Sequence, residues 1–468
     1  MSIPIISKRI WSLCHVLRDD GIVFHKFLSE LTYLLFLKIA EETGREDLLP
    51  NGCRWTDLTL QPAGGMLGGY RKMLTVLGED APDHIVREIF RFPTTVFNHE
   101  ENLRKVVDGI NAIDWHEAKS DGLGAVYESL LQRSVAEARS GAGQYFTPRP
   151  LVDAMVTVLQ PALGETIQDP AAGTAGFLIS TQEYIASKYT DAQRKKKPAH
   201  YQAVEIEGDT YRLCLMNMFL HDMEGEFIHG DALTDDVATL TAPDVIIANP
   251  PFGSSAGGAR ARRSDLPFPT SNKQLLFLQH IYLALKPGGR AAVVLPDNVL
   301  FEDGVGRRVR THLMETCDVH TLLRLPSGIF YAADVKTSVL FFSRPHEGES
   351  TTQRIWVYDL RTNMQRFRKG RNLTNEVFAD FVRVYGPDPL GRSPRDHAVD
   401  PRFREYSREE IAKRDDNLDL RWLTEGLKDD LDEREPEEIL AALVQTLKSA
   451  LGDVENIVAE IDQVSDAD

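Results

Sequence analysis

The stretch TIQDPAAGTAGFLISTQEYIASK, residues 166–188, changes character twice along its length. A short run ends in an acid, Asp169; small residues follow from Pro170 to Gly176; apolar positions then recur at helical spacing. Strand, glycine-bearing turn and helix, in that order, make the opening unit of an α/β sheet. Small side chains let a ligand approach the turn's backbone, and unpaired N–H groups at a helix start favour a carboxylate or phosphate. Taken alone, such a turn fits an ordinary tight turn equally well.

The flanking sequence extends the pattern. Short apolar runs recur as YQAVEIE, EFIHGD, PDVIIANPP, RAAVVLP, HTLLRLP and SVLFFS, with helices expected over 174–188, 209–222, 272–286 and 303–315. Alternation of this kind predicts a mostly parallel α/β sheet with ligands at the carboxyl ends of its strands. The second strand brings Glu205 to that rim, and Glu207, two residues on in an extended strand, faces the same way; pattern leaves the choice open. The third brings Asp231. Upstream, residues 1–140 read as helical, with LQPAGGMLGGY (60–70) as a loop between helices. A mixed extension over 346–430 follows the α/β region over 141–345, with WVYDLRTN as one strand.

Composition bounds the class of protein. A chain of 468 residues with 42% hydrophobic and 26% charged residues has the make-up of a soluble globular protein of several domains. The apolar run LTYLLFL (31–37) is too short to span a bilayer. Cys14, Cys53, Cys214 and Cys317 are scattered without metal-ligand spacing, which predicts neither a disulfide framework nor a metal site and fits a reducing cytoplasm.

Of the net charge of −17, residues 429–468 carry −11 (13 acidic, 2 basic), leaving −6 on the rest. Basic clusters, RARR (260–263), RKKK (194–197) and RFRKGR (366–371), stand against that background. An acidic chain does not grip DNA strongly by itself, because phosphate neutralisation dominates such affinity. Within the acidic tail (431–468), Leu440, Val444, Leu447, Leu451, Val454, Val458 and Ile461 form a heptad seam. It suits either a helix on its own domain or a coil that docks a partner.

The run VIIANPPFG (245–253) is a buried strand stopped by two prolines. Asn249 offers an amide oxygen and Pro250 a carbonyl; together they can accept both hydrogens of an exocyclic amine. Pro251 stiffens the exit, and Phe252 can stack on a flat base. Fixed acceptors need little reorganisation as charge develops on the amine. Neither a metal nor a cysteine nucleophile is required.

Four motifs in order, QYFTPRPLVDAMV (144–156), DPAAGTAGFL (169–178), GDAL (230–233) and ANPPFG (248–253), make the chain resemble the amino-methyltransferases of DNA adenine N6. Within these it resembles the methylation (M) subunit of type I restriction-modification systems over nearly its whole length. The resemblance implies a Rossmann-like S-adenosylmethionine-dependent core behind a helical N-terminal domain, with a C-terminal helical tail. It implies that Gln144, Tyr145, Phe146, Thr147, Pro148, Arg149, Thr174, Ala175 and Gly176 line the cofactor. Phe146, Thr147 and Asp169 would lie near its methionine end, Glu205 at the ribose hydroxyls and Asp231 at the adenine edge. Asn249, Pro250, Pro251 and Phe252 would hold the target base.

Implied partners are double-stranded DNA, a specificity (S) subunit with two M subunits to one S, and a restriction (R) subunit. Two departures stand out: Ala175 replaces a glycine common in related turns, adding only a methyl group, and Asp334 stands where glycine is expected. No phosphate-binding GxxxxGK[ST] loop occurs, so motor activity would belong to another chain. An RNA or protein-glutamine methyltransferase, or a silent assembly module, are the competing readings.

Overall fold

The computed structural model describes residues 3–14, 24–115, 123–137, 147–253, 263–330, 335–362, 364, 367, 373–395, 400–423, 440, 444 and 447. Gln144, Tyr145, Phe146, Asp334 and most of the C-terminal seam lie outside them. The chain divides into two compact units. One comprises residues 1–143 with 173–175 and 207–224, and the other comprises the remainder.

The first unit is helical. Its longer helices are α1 (Ile3–Ser12), α2 (Phe24–Thr43), α3 (Met66–Asp80), α4 (Glu100–Asn111) and α5 (Leu123–Glu137). In α4 the buried Leu103, Val106, Val107 and Ile110 follow the helical repeat that puts one face inside. The glycine-rich stretch expected as a loop over 60–70 turns helical at Met66. Its start is capped from a distance: the Glu100 carboxylate accepts from Gly64 N (2.8 Å) and Met66 N (3.1 Å). That contact offsets the low helix propensity of Gly68 and Gly69.

The second unit carries α6 (Arg149–Leu159), α7 (Gly176–Lys188) and one nine-stranded sheet. Its strands are β1 (Thr166–Asp169), β2 (His200–Glu205), β3 (Gly225–His229), β4 (Val245–Ala248), β5 (Arg290–Pro296), β6 (Asp318–Arg324), β7 (Thr337–Ser343), β8 (Arg354–Asp359) and β9 (Phe403–Ser407). The sheet order is β3-β2-β1-β4-β5-β7-β6-β8-β9. From β3 to β5 every pairing is parallel, as expected. β7 then enters antiparallel between β5 and β6, and β9 pairs antiparallel with β8.

Burial follows position in the sheet. β4 and β5 are buried at every residue, the pattern of parallel strands covered on both faces, whereas edge strand β3 is partly exposed throughout. The mixed extension adds β8 and β9 to this same sheet.

Helix α8 (Gly208–Leu220) links β2 to β3 in sequence but packs with the helical unit. Cys214 through Phe219 are all buried. Arg212 Nε donates to the Ile89 carbonyl (2.8 Å), and the Arg45 guanidinium lies over the Phe219 ring at 4.2 Å. Further along the chain come α9 (Lys273–Ala284), α10 (Val305–Thr316) and α11 (Glu376–Tyr385). Of the tail seam, Leu440, Val444 and Leu447 are helical, and all three are exposed. No helix among the described residues is long and apolar enough to cross a membrane.

Candidate functional site

The sheet order creates a switch point. After β1 the chain moves outward to β2 and β3, then returns to lay β4 on the other side of β1. The ends of β1 and β4 therefore flank the crevice in which doubly wound sheets hold ligands. Asp169 ends β1, and Asn249 is the first residue after β4.

Asn249 is buried at 6% exposure, Pro250 is buried, and Pro251 and Phe252 are half-buried. Gly253 reverses the chain at φ +108°, a conformation that suits glycine. Its carbonyl accepts from Lys273 N at 3.0 Å, at the start of α9, where Asn272 caps the Gln274 and Leu275 amides. The turn is thus fixed at both ends. Asn249 Nδ2 donates to Thr147 Oγ1 at 3.0 Å, which turns the amide oxygen to the opposite side. Two motifs separated by a hundred residues meet in that bond. Thr147, expected at the cofactor, orients the amide that was expected at the base.

Along the same rim stand three carboxylates. Asp169 is 1% exposed; its Oδ1 accepts from Ala171 N (3.0 Å), and its Oδ2 has no hydrogen-bond partner among the described residues. Burial, reinforced by the negative Glu205, pushes its pKa up to about 8 against the opposing Ala171 bond. Glu205 ends β2 opposite His229, and its carbonyl accepts from Gly230 N at 3.0 Å. Asp231 follows β3 and turns its carboxylate onto Leu233 N (2.9 Å). Beside it Ala232, Leu233 and Leu266 join one apolar cluster with Val204 and Phe277. Leu266 had no signal in the sequence to mark it.

The structure separates Glu205 from Glu207. The strand ends at Glu205, so the two do not share a strand face; Glu207 is exposed, and its carboxylate caps α8 by accepting from Thr210 N at 2.6 Å. Arg149 stands at the start of α6. Its guanidinium pairs with Asp153 (3.0 Å) and with Glu183, tying α6 to α7, while Pro148 sits at the N-cap of α6.

In the glycine turn, Ala172 N donates to the Val204 carbonyl (2.9 Å). Gly173 is at φ +55° and Ala175 at φ +68°. The alanine therefore does more than add a methyl group: it holds a left-handed backbone that glycine adopts without strain. A Cβ built on Gly173 or Gly176 would meet no atom within 4 Å, so both face open space.

A doubly wound sheet with carboxylates on three strand ends and an Asn-Pro-Pro-Phe exit at its switch point defines a nucleotide-handling transferase that works on amino groups. The chain belongs to the N-6 DNA Methylase family, which its residues 118–429 match. It is 41% identical to the type I restriction enzyme EcoKI methylase subunit of Escherichia coli K12, over 98% of this chain and 96% of that relative. The crystal structure of the EcoKI M protein aligns over 97% of this chain and 96% of its own, at 36% identity and TM-score 0.55. A chain from a structure of type I R-M system assembly and conformational transition aligns over 99% of both, at 26% identity and TM-score 0.75.

Proposed function

We propose that this chain is the modification subunit of a type I restriction-modification assembly and transfers a methyl group to N6 of an adenine in double-stranded DNA. The observation that carries the reading is Asn249, buried at the end of β4 with its amide oriented by Thr147. Adenine N6 is a weak nucleophile because its lone pair is conjugated with the ring. The Asn249 side-chain oxygen and the Pro250 carbonyl accept its two hydrogens, draw the nitrogen toward tetrahedral geometry and stabilise the charge that forms. Phe252, half-buried beside them, stacks on the base once it has left the duplex. Holding the reacting groups in one geometry supplies much of the remaining acceleration.

S-adenosylmethionine, when bound, supplies an electrophilic methyl group on a sulfonium. The residues present fit it. The unpartnered Asp169 Oδ2 suits a cationic methionine portion, Glu205 suits ribose hydroxyls, and Asp231 beside the Leu233–Leu266 cluster suits an adenine ring. Gly173 and Gly176, on either side of Thr174 and Ala175, face open space.

The net charge of −17 favours a shared grip on DNA, with a specificity subunit reading the bases for two methylation subunits and a restriction subunit adding cleavage. The exposed apolar face of Leu440, Val444 and Leu447 supports docking of the tail on a helical part of the specificity subunit. Purified with that subunit and labelled cofactor, the chain should place label in N6-methyladenine of duplex DNA. Label recovered in RNA or in protein glutamine, or none at all, defeats the reading. Truncation after Arg434 should abolish co-purification with the specificity subunit and leave cofactor affinity unchanged; intact co-purification would show that the tail packs on its own domain.

A further inference from the structure

Over Cys214–Phe219 helix α8 is buried at every residue, and one of these is an amide. Asn217 lies at 1% exposure between Met216 and Met218. Its Nδ2 donates to the carbonyl of Thr174 at 2.8 Å. The reverse amide orientation would set oxygen against oxygen, so the contact fixes which way the side chain points. Its Oδ1 is buried without a hydrogen-bond partner among the described residues, so the amide's whole hold is on the Thr174 carbonyl. The next residue, Ala175, holds the left-handed φ of +68°. Residues 173–175 and α8 belong to the same helical unit.

Resting on the reading of this turn as the cofactor cradle, we infer that Asn217 is a positioning residue for S-adenosylmethionine. By holding the Thr174 carbonyl it keeps Ala175 in a conformation that a residue with a Cβ leaves when released. The Asn217–Thr174 bond thereby sets the fraction of molecules whose turn is ready to bind. Apparent affinity scales with that fraction.

The test measures S-adenosylmethionine affinity by calorimetry on the full chain, together with hydrogen exchange at the 174–176 amides without cofactor. Asn217→Ala should weaken binding roughly tenfold and speed exchange at those amides, with kcat at saturating cofactor retained. Ala175→Gly alone should change affinity less than about twofold, because the turn is already held. In the double variant, glycine removes the left-handed cost and affinity should return to within about threefold of the parent.

An Asn217→Ala chain that binds like the parent overturns the inference. So does a weakened chain that Ala175→Gly fails to restore, since Asn217 would then act through general packing. If Asn217→Ala does not fold, Asn217→Ser, polar but too short for the contact, takes its place in the same comparison. A parent chain that binds no S-adenosylmethionine defeats the cofactor reading instead, and the exchange measurement still decides whether Asn217 holds the turn.

Discussion

Two buried carboxylates, one in each unit, meet the same desolvation and answer it differently. Glu30 of α2 is 1% exposed, and both of its oxygens are engaged, by the Tyr70 hydroxyl (2.6 Å) and by Val96 N (2.7 Å). Burial pushes its pKa up to about 6, against the pull of those bonds. Asp169 is equally buried, yet among the described residues only one of its oxygens has a partner; burial, with the like charge of Glu205 added, pushes its pKa up to about 8. Burial alone does not mark a functional acid. A buried acid left half-satisfied at a strand end is the stronger candidate, because a ligand can bring the missing partner.

The rim side of that contrast is tested most sharply at Asn249, the proposed acceptor for the target amine. Asn249→Ala should cut kcat for DNA methylation by ~10²–10³, the usual effect of deleting one transition-state acceptor, with cofactor affinity held within about twofold. Methylation of cognate DNA at the parent rate would remove Asn249 from the chemistry. Thr147→Val keeps the side-chain shape but removes the hydroxyl that orients Asn249. It should lower kcat roughly tenfold and barely move KM for the cofactor; a change confined to KM would return Thr147 to the cofactor.

The contrast itself is tested by protons. Asp169, raised from 3.8 to about 8, is neutral in the folded chain at pH 7. A cation delivered to Oδ2 lowers that pKa, so cofactor binding at pH 7 should release ~1 proton, and the release should vanish as the pH passes well above 8. Calorimetry in buffers of different ionisation enthalpy counts it, and Asp169→Asn should abolish it while weakening binding about tenfold or more.

Stability without cofactor separates the two acids. Each raised pKa contributes stability that is full below the unfolded value and is lost as pH rises through the folded value. The windows run from 4.5 to about 6 for Glu30 and from 3.8 to about 8 for Asp169. Glu30→Gln should therefore flatten the lower window only, and Asp169→Asn should also flatten the slope between pH 6 and 8. Equal slopes above pH 6 in Asp169→Asn and the parent would break the comparison.

What was readable beforehand follows the range of the interactions. The runs around β4 and β5 are continuous and apolar because both faces of those strands are buried, and the acid that ends β1 and the Asn-Pro-Pro-Phe after β4 could be read in place. The pairing of Arg149 with Asp153 is also local, four residues apart on one helix. Distant contacts were beyond reach. The cap that Glu100 places on α3, the meeting of Thr147 with Asn249 and the hold of Asn217 on Thr174 each join segments more than thirty residues apart. β9 escaped because FREYS is short and charged and becomes a strand only by pairing with β8. One local clue did exist for Asn217: an amide in the middle of CLMNMFL needs a partner.

The smallest expected effect tests whether a carboxylate's own partners foretell its role. Glu205 and Glu207 are two residues apart and were indistinguishable in the sequence, but one closes β2 and the other caps α8. Glu205→Ala removes the acceptor proposed for two ribose hydroxyls, each charged hydrogen bond being worth about 1.5–3 kcal/mol, so affinity should fall at least tenfold. Glu207→Ala removes the capping contact to Thr210 N. It should cost about 1 kcal/mol of stability at most, seen as a melting temperature lower by a few degrees or less. Cofactor affinity should stay within about twofold of the parent. The Thr210 amide, once uncapped, should exchange faster, which locates the loss at the helix start rather than in the cradle. If calorimetry instead shows the larger affinity loss for Glu207→Ala, the exposed cap is the ribose acceptor. In that event the carboxylate must leave Thr210 when cofactor binds, and the partners it has in the unliganded fold do not predict what it does.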